Sequence, residues 1–336
     1  MKEQVQNASG DAGTPLLAIQ GLRTWFETDR GIVRAVDGID LDVRRGECLG
    51  VVGESGSGKS ATFASVMGLI RKPGRIVEGS IRFDGTELTS LDDRARRAMR
   101  GRDLAMTMQD ALTALNPALR VGTQIIEVLR AHDQAASRSA ATARAIELMQ
   151  LVGIPAAESR IADYPHQFSG GMRQRIMIAI ALACRPRLLI ADEPTTALDV
   201  TIQAQVLDLI AGLRAKLGMS VVLITHNLGV VAAYCDRVAV LYAGQVVELG
   251  PTAEVIAAPR HPYTEGLLRS LPKLEDLDHP IEPIVGQVPD LISAPEGCRF
   301  AARCPHRRDS CAAAVAMRHV SPGRQVRCVL AEGAAP

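Results

Sequence analysis

The chain has 336 residues, 47% of them hydrophobic, and its 38 Lys+Arg against 37 Asp+Glu leave a formal net charge of +1. That length fits about two domains with a sizeable apolar core, and so balanced a charge argues against a protein built to bind nucleic acid non-specifically. Residues 1–13 carry no basic-then-apolar leader and no stretch reaches the ~18 uninterrupted apolar residues of a membrane span, so the chain is expected to stay in the cytoplasm.

After a polar tail over 1–15, residues 16–52 alternate apolar and polar side chains in short runs, as in Ile39-Asp40-Leu41-Asp42-Val43, the period of half-buried strands. The apolar run Leu49-Gly50-Val51-Val52 then meets Gly53-Glu54-Ser55-Gly56-Ser57-Gly58-Lys59-Ser60, followed by Ala61. This fits G-x-x-x-x-G-K-[ST] in the strand-then-helix setting that a phosphate-binding loop requires. Glycines at 53, 56 and 58 let the backbone curl so that successive N–H groups converge on phosphate oxygens, and the helix opening near Lys59 adds its positive end. Lys59 is placed for the β/γ-phosphates, and Ser60 offers a hydroxyl to Mg²⁺, a hard cation held by a few protein oxygens and the substrate phosphates. A plain Gly/Ser turn between strand and helix has no use for Lys-Ser at its end. The pattern predicts binding of ATP or GTP.

Residues 61–70 continue that helix, and Ser80-Ile81-Arg82-Phe83-Asp84-Gly85 reads as a strand ending in a turn. From about 90 to 185 the pattern is mostly helical, with Gln124 to Leu151 rich in good helix formers. Two near-continuous apolar runs follow, Arg187-Leu188-Leu189-Ile190-Ala191 ending at Asp192-Glu193 and Ser220-Val221-Val222-Leu223-Ile224-Thr225 ending at His226; both read as buried parallel strands. Ligands of open α/β sheets bind outside the carboxyl ends of the strands, so the phosphate loop, Asp192-Glu193 and His226 are expected to share one site. Val238 to Tyr242 and Gln245 to Leu249 flank Ala243-Gly244 as a hairpin, and a proline-rich stretch from Pro251 to Pro295 leads into a cysteine-bearing tail. Taken singly, His226 and Gln109 would be ordinary polar residues, and Ser169-Gly170-Gly171 no more than a helix N-cap.

Together, the phosphate loop, Gln109, Ser169-Gly170-Gly171-Met172-Arg173-Gln174-Arg175, Leu188 to Glu193, Ala197-Leu198-Asp199 and His226 resemble the nucleotide-binding subunit of ABC transporters, in the right order over about 16–250. The resemblance implies an α/β P-loop NTPase core with an antiparallel β subdomain, a helical subdomain at about 100–185, and a small extension over 251–336. It implies that Asp192 anchors Mg²⁺ together with Ser60 and Gln109, and that Glu193 orients or deprotonates the attacking water. His226 would contact the γ-phosphate and steady Glu193, while Gln109 senses the metal or water from a loop facing the membrane partner. Ser169, Gly170 and Gly171 would hold the γ-phosphate of ATP bound on an opposing subunit, so that two subunits sandwich ATP head to tail, and Asp199 would be a nucleotide-binding residue. Phe26, 27 residues before Gly53, is near where the family places an adenine-stacking aromatic; it or the adjacent Trp25 could instead pack in the core.

Three segments resemble the ATPases of oligopeptide and dipeptide importers, with which nickel importers share them: Asn116-Pro117, His261-Pro262-Tyr263-Thr264, and the tail from Gly297-Cys298 through Cys304-Pro305-His306 to Cys328. The chain departs at Met108 and Ala111, where relatives commonly carry an aromatic and a proline. Membership implies a peripheral subunit on the cytoplasmic face of the membrane, paired with a sister ATPase and serving two permeases and an extracytoplasmic peptide-binding protein, without nucleic acid. Cys298-x5-Cys304-x6-Cys311-x16-Cys328 supplies the four thiols of a [4Fe–4S] cluster or a structural zinc, with His306 able to replace one, or else four plain reduced cysteines. Cys48, Cys184 and Cys235 sit in apolar runs and read as core residues. A soluble ABC ATPase of DNA repair or translation is the rival reading, against which stand the absent coiled-coil insert, the single motif set and the near-neutral charge.

Overall fold

The computed structural model describes residues 14–196, 198–270 and 282–331. Residues 1–13 of the polar tail, Ala197, 271–281 of the proline-rich stretch and 332–336 lie outside the described residues. Two sheets organise the chain. Strands β1 (Leu17–Thr28), β2 (Gly31–Val43), β4 (Gly74–Phe83) and the short β5 (Thr86–Glu87) form an antiparallel sheet in the order β2-β1-β4-β5. Between β2 and β4 the chain leaves to make β3 (Cys48–Val52), a strand of the other sheet, and helix α1 (Lys59–Val66), which packs against the antiparallel sheet.

The eight-stranded main sheet runs in the order β11 (Arg318–Ser321), β12 (Arg324–Val326), β10 (Gln245–Pro251), β9 (Arg237–Tyr242), β3, β8 (Ser220–Thr225), β7 (Leu188–Asp192), β6 (Leu104–Thr107). At its centre β3 lies parallel to β8 (Ser220–Thr225) and β9 (Arg237–Tyr242), with β7 (Leu188–Asp192) beside β8 and β6 (Leu104–Thr107) at the edge. β10 (Gln245–Pro251) returns antiparallel to β9 as the expected hairpin. The runs at 187–191 and 220–225 are the buried parallel strands that their apolar composition predicts, every residue of β7 and β8 being buried.

Side-chain alternation along the central strands divides the core into two layers. Leu49, Val51, Leu188, Ile190, Val222 and Ile224 point toward α1 and the antiparallel sheet, joining Phe63, Leu22 and Ile39. Cys48, Val52, Leu189, Ala191, Val221 and Leu223 point the other way, toward the helices. Those helices include α4 (Val121–Ala131), α5 (Arg138–Leu151) and α7 (Gly170–Ala181), which pack through Ile125, Leu129, Leu148, Met149, Ile176 and Ile178; shorter helices α2 (Asp93–Met99), α3 (Ala111–Ala114), α6 (Ala157–Arg160) and α9 (Leu228–Tyr234) lie between the longer elements in sequence. Cys48, Cys184 and Cys235 are buried as read from sequence.

Two departures from the sequence reading have physical causes. The mostly helical span from 90 to 185 contains β6, whose four residues Leu-Ala-Met-Thr are too few for a period and include three good helix formers; pairing with β7 makes them a strand. The tail is tied into the main sheet: β12 (Arg324–Val326) pairs with β10 through Glu248↔Val326 and Leu249↔Gln325, and β11 (Arg318–Ser321) pairs outside it. The proline-rich stretch also holds helices α10 (Thr252–Ala257) and α11 (Pro262–Arg269), the second with Pro at its first turn, where a missing N–H is harmless.

Candidate functional site

The phosphate loop leaves the end of β3 and enters α1 through backbone conformations that favour glycine. Gly53, Gly56 and Gly58 have φ of +155°, +77° and +97°. A Cβ at Gly53 would lie 2.1 Å from the Leu241 carbonyl oxygen, and one at Gly58 2.3 Å from that of Ala35. Gly58 is the N-cap of α1 and no side chain caps that helix, so its first-turn N–H groups and positive end stay available for an anion. Lys59, 5% exposed, folds back over the loop, its Nζ donating to Gly53 O (2.7 Å), Glu54 O (3.0 Å) and Ser57 Oγ (3.4 Å). Burial pushes the Lys59 amine below its usual range, and the carboxylates of Glu193, Asp192 and Glu54 pull against that shift.

Asp192 is the last residue of β7 and is 7% exposed; its Oδ1 accepts from Ser60 Oγ at 3.2 Å. Burial raises the Asp192 carboxyl above the ordinary carboxylate range, adjacent Glu193 raises it further, and the Ser60 hydrogen bond and Lys59 oppose the rise. The neighbouring Ser60 hydroxyl and Asp192 carboxylate are the hard oxygen donors that suit Mg²⁺.

Glu193 turns the chain sharply at φ +44°, with its N–H donated to Ile224 O (2.9 Å), and so aims its side chain across the strand ends. Its Oε2 accepts from Gln109 Nε2 and from Thr196 Oγ1, each at 2.9 Å, while His226 Nδ1 stands 3.7 Å from Oε1. Three strand ends, those of β6, β7 and β8, thus bring Gln109, Glu193 and His226 to one carboxylate beside the phosphate loop. His226 is 66% exposed, which leaves it open to solvent and ligands.

The other expected residues form a separate face. Ser169 caps α7, its Oγ accepting from Met172 N, and Asp199 caps α8 (Val200–Leu217), accepting from Ile202 N. Ser169, Gly170 and Asp199 are exposed, while Gly171 is buried against Ile202, with 2.4 Å between its would-be Cβ and the Ile202 methyl carbon. Gly170 abuts Leu198, so the two caps share one surface. Among the described residues, the side chains of Ser169 and Asp199 hydrogen-bond only within their own caps. Phe26 is half-buried on β1 against Gly74, where an added Cβ would meet its ring carbon at 2.4 Å; Trp25 carries the Arg34 guanidinium 5.3 Å from its ring centre.

The four tail cysteines gather in one corner. Cys298 N donates to Cys311 O (2.8 Å), and each sulfur accepts a main-chain N–H: Cys298 from Phe300, Cys304 from His306, Cys311 from Arg308 (3.4 Å) and Cys328 from Leu330 (3.5 Å). Burial raises the Cys298 and Cys304 thiols, and neighbouring cysteines add to the rise. Among the described residues, however, no three His, Cys, Asp or Glu side chains form a group that could hold a metal ion, so the thiols as placed do not make the expected ligand set.

Three contributors escaped the sequence reading. Thr196, three residues beyond Glu193, holds the Glu193 carboxylate; Tyr263 and Arg303, from the C-terminal segments, hold Glu54 of the phosphate loop. The last two are 209 and 249 residues from their partner, beyond any local pattern.

Comparison with known proteins places this geometry. A family model described as ABC transporter matches residues 36–196, and one described as the oligopeptide/dipeptide transporter C-terminal region matches 247–311. The chain is 48% identical over 313 residues to the dipeptide transport ATP-binding protein DppD of Haemophilus influenzae, covering 93% of this chain and 94% of that protein. The chain belongs to the oligopeptide/dipeptide branch of the ABC-transporter ATP-binding proteins. Within that family it is also 48% identical to the oligopeptide transport ATP-binding protein AppD of Bacillus subtilis, over 94% of this chain and 97% of that one. The fold of the ABC cassette extends to a solved dimeric ATP-binding cassette in a post-hydrolysis state bound to ADP and Pi, at TM-score 0.63 and 26% identity, covering 70% of this chain and 98% of that chain. Among the described residues of this family member, no helix is long and apolar enough to cross a membrane.

Proposed function

We propose that this chain is the ATP-hydrolysing subunit of an importer for di- or oligopeptides. The carrying observation is the convergence on one strand-end corner of Lys59, the Ser60–Asp192 pair and the Gln109–Glu193–His226 group. The loop glycines, Ser55, Ser57 and Ala61 would hold the phosphates through main-chain N–H groups, with Lys59 turning from its loop carbonyls to the β/γ-oxygens. Ser60, Asp192 and Gln109 would hold Mg²⁺, which when bound neutralises phosphate charge. Glu193 would take the proton of the attacking water. Gln109 and Thr196 fix one of its oxygens, and His226, at the other, is free to reach a γ-phosphate. Phe26 would stack on adenine.

The exposed caps at Ser169-Gly170-Gly171 and Asp199 would complete the site of a second, sister ATPase subunit, the two forming a heterodimer. Two permeases, a cytoplasmic-face location and an external peptide-binding protein follow from the same reading, with residues 16–250 as the ATPase domain, about 100–185 as its helical subdomain and 251–336 as the importer-type extension. The relatives' names favour peptide over nickel, and over a repair or translation ATPase. For the tail we propose a [4Fe–4S] cluster, with zinc as the alternative. Four thiols in one corner, each with an N–H donor, favour it, but they would have to draw together to bind. Iron and acid-labile sulfide near four each per chain would support it; one zinc, or neither metal, would refute it.

Assembly of the chain with its permeases and binding protein in liposomes tests the main reading. ATP turnover that rises with added di- or oligopeptide, and not with Ni²⁺, is the expected result; turnover indifferent to peptide would refute it.

A further inference from the structure

We infer that the C-terminal segment sets the conformation and charge of the phosphate loop, with Arg303 and Arg299 as positioning residues for nucleotide binding. The inference rests on the ATP-site reading above and adds to it residues outside the ATPase motifs.

The geometry centres on Glu54, the second residue of the loop. Its carboxylate receives a two-pronged guanidinium contact, Arg303 Nη1 to Oε2 at 2.7 Å and Nη2 to Oε1 at 3.0 Å. Its N–H donates to Tyr263 Oη at 2.9 Å, and its carbonyl accepts from Lys59 Nζ at 3.0 Å. Every polar group of this loop residue is therefore occupied, two of the three by C-terminal side chains. Arg303 is itself fixed: its side chain is 5% exposed, and its remaining donors reach Val285 O (3.1 Å), Ile284 O (3.1 Å) and Tyr242 Oη (3.3 Å). The fork geometry of Arg suits such simultaneous contacts, and Lys could not reproduce them.

Beneath this lies an aromatic wedge. Tyr263, fully buried, meets Tyr242 at 4.5 Å between ring centres and Phe300 at 5.4 Å. A second strut reaches the other half of the loop. Arg299 donates to the Ala243 carbonyl and to Asp37; the next residue, Gly244, donates its N–H to Ser57 O at 2.9 Å and accepts from Asp37 N at 2.9 Å. Arg299 and Arg303 directly follow Cys298 and directly precede Cys304 in sequence. The cysteine corner is thus anchored to both halves of the phosphate loop by residues adjacent to its thiols.

Two consequences follow. Glu54 puts a negative charge in a loop that must receive a polyphosphate, and Arg303 cancels it. Remove Arg303, and the bare carboxylate both loses its position and repels the incoming phosphates, more strongly the more phosphates the nucleotide carries. A purely structural role would weaken all nucleotides alike.

The test uses the purified full-length chain, with binding of ATP and ADP measured by equilibrium titration and folding by thermal melting. Arg303→Met is expected to weaken ATP by about tenfold or more and ADP by less, since truncating the buried member of a partly buried charge pair leaves the other uncompensated. Glu54→Gln combined with Arg303→Met should recover most of the ATP affinity, because the neutral amide no longer repels phosphate. Arg303→Lys should fall between wild type and Met. Equal losses for ATP and ADP, or a double variant no better than Arg303→Met, would overturn the inference. Should Arg303→Met fail to fold, Arg303→Gln, which keeps polar donors and removes the charge, carries the same ATP-to-ADP readout, and equal losses for the two nucleotides overturn it. Wild-type binding that Lys59→Ala removes upholds the ATP-site reading whatever the Arg303 variants do; a wild type that binds no nucleotide overturns both.

Discussion

Two glycines of one loop make a controlled comparison. At Gly58 φ is +97° and an added Cβ would lie 2.3 Å from the Ala35 carbonyl oxygen, whereas at Gly56 φ is +77° and nothing lies within 4 Å. Gly58→Ala and Gly56→Ala both force an L-residue into left-handed backbone, at a cost of about 1–2 kcal/mol. Only Gly58→Ala adds an overlap, and it falls on main-chain oxygen of β2, which no rotamer change can move aside. Relief requires the loop to shift by about 1 Å, a displacement that can cost on the order of 100-fold at a preorganised site. Titration with ATP, alongside thermal melting of each variant, should show Gly58→Ala weaker than wild type by about 100-fold, and Gly56→Ala within about tenfold. Equal affinities for the two variants would refute the argument that close main-chain approach, rather than φ alone, fixes these glycines.

The pH behaviour offers two further checks. Asp192 holds its proton to a higher pH than an ordinary carboxyl because it is buried beside Glu193, and that proton must leave before the oxygen can serve a metal. Mg²⁺-dependent enhancement of nucleotide binding should therefore fade on acidification before an ordinary exposed aspartate would titrate, and Asp192→Asn should abolish the enhancement at all pH values. Acid stability depends on Asp84 and Glu87. Hydrogen bonds from Arg187 and Arg45 lower Asp84 from 3.8 to about 2. Burial raises Glu87, but Ser80, Thr89 and the Ile81 N–H outweigh it and bring it from 4.5 to about 2. Both folded values are depressed, so their contribution is present above the unfolded values and is lost as pH falls toward 2. Denaturant melts from pH 5 to 2 should show a loss of stability in that window that Glu87→Gln flattens.

The parts of the site legible in sequence are those whose signal is local. The phosphate loop is eight contiguous residues after an apolar run, and Asp192-Glu193 and His226 each end a strand that composition alone marks as buried. The strand ends meet at one corner, because parallel strands must present their carboxyl ends on one edge. What composition could not give is anything decided by pairing at a distance. β6 is a strand only because β7 lies beside it, and β12 joins the main sheet only through β10. The hold of Tyr263 and Arg303 on Glu54 is a contact between residues more than two hundred positions apart. The cysteine spacing likewise supplies four thiols without saying how they are oriented.

The most direct measurement of the central claim is ATP binding and hydrolysis by the assembled transporter carrying Glu193→Gln. The carboxylate of Glu193 touches Gln109, Thr196 and His226. An amide in its place keeps the shape and loses the base, so ATP should bind at near wild-type affinity while turnover falls by about 10²- to 10⁴-fold. Undiminished hydrolysis would contradict the assignment of Glu193 as the base of an ATP-driven subunit.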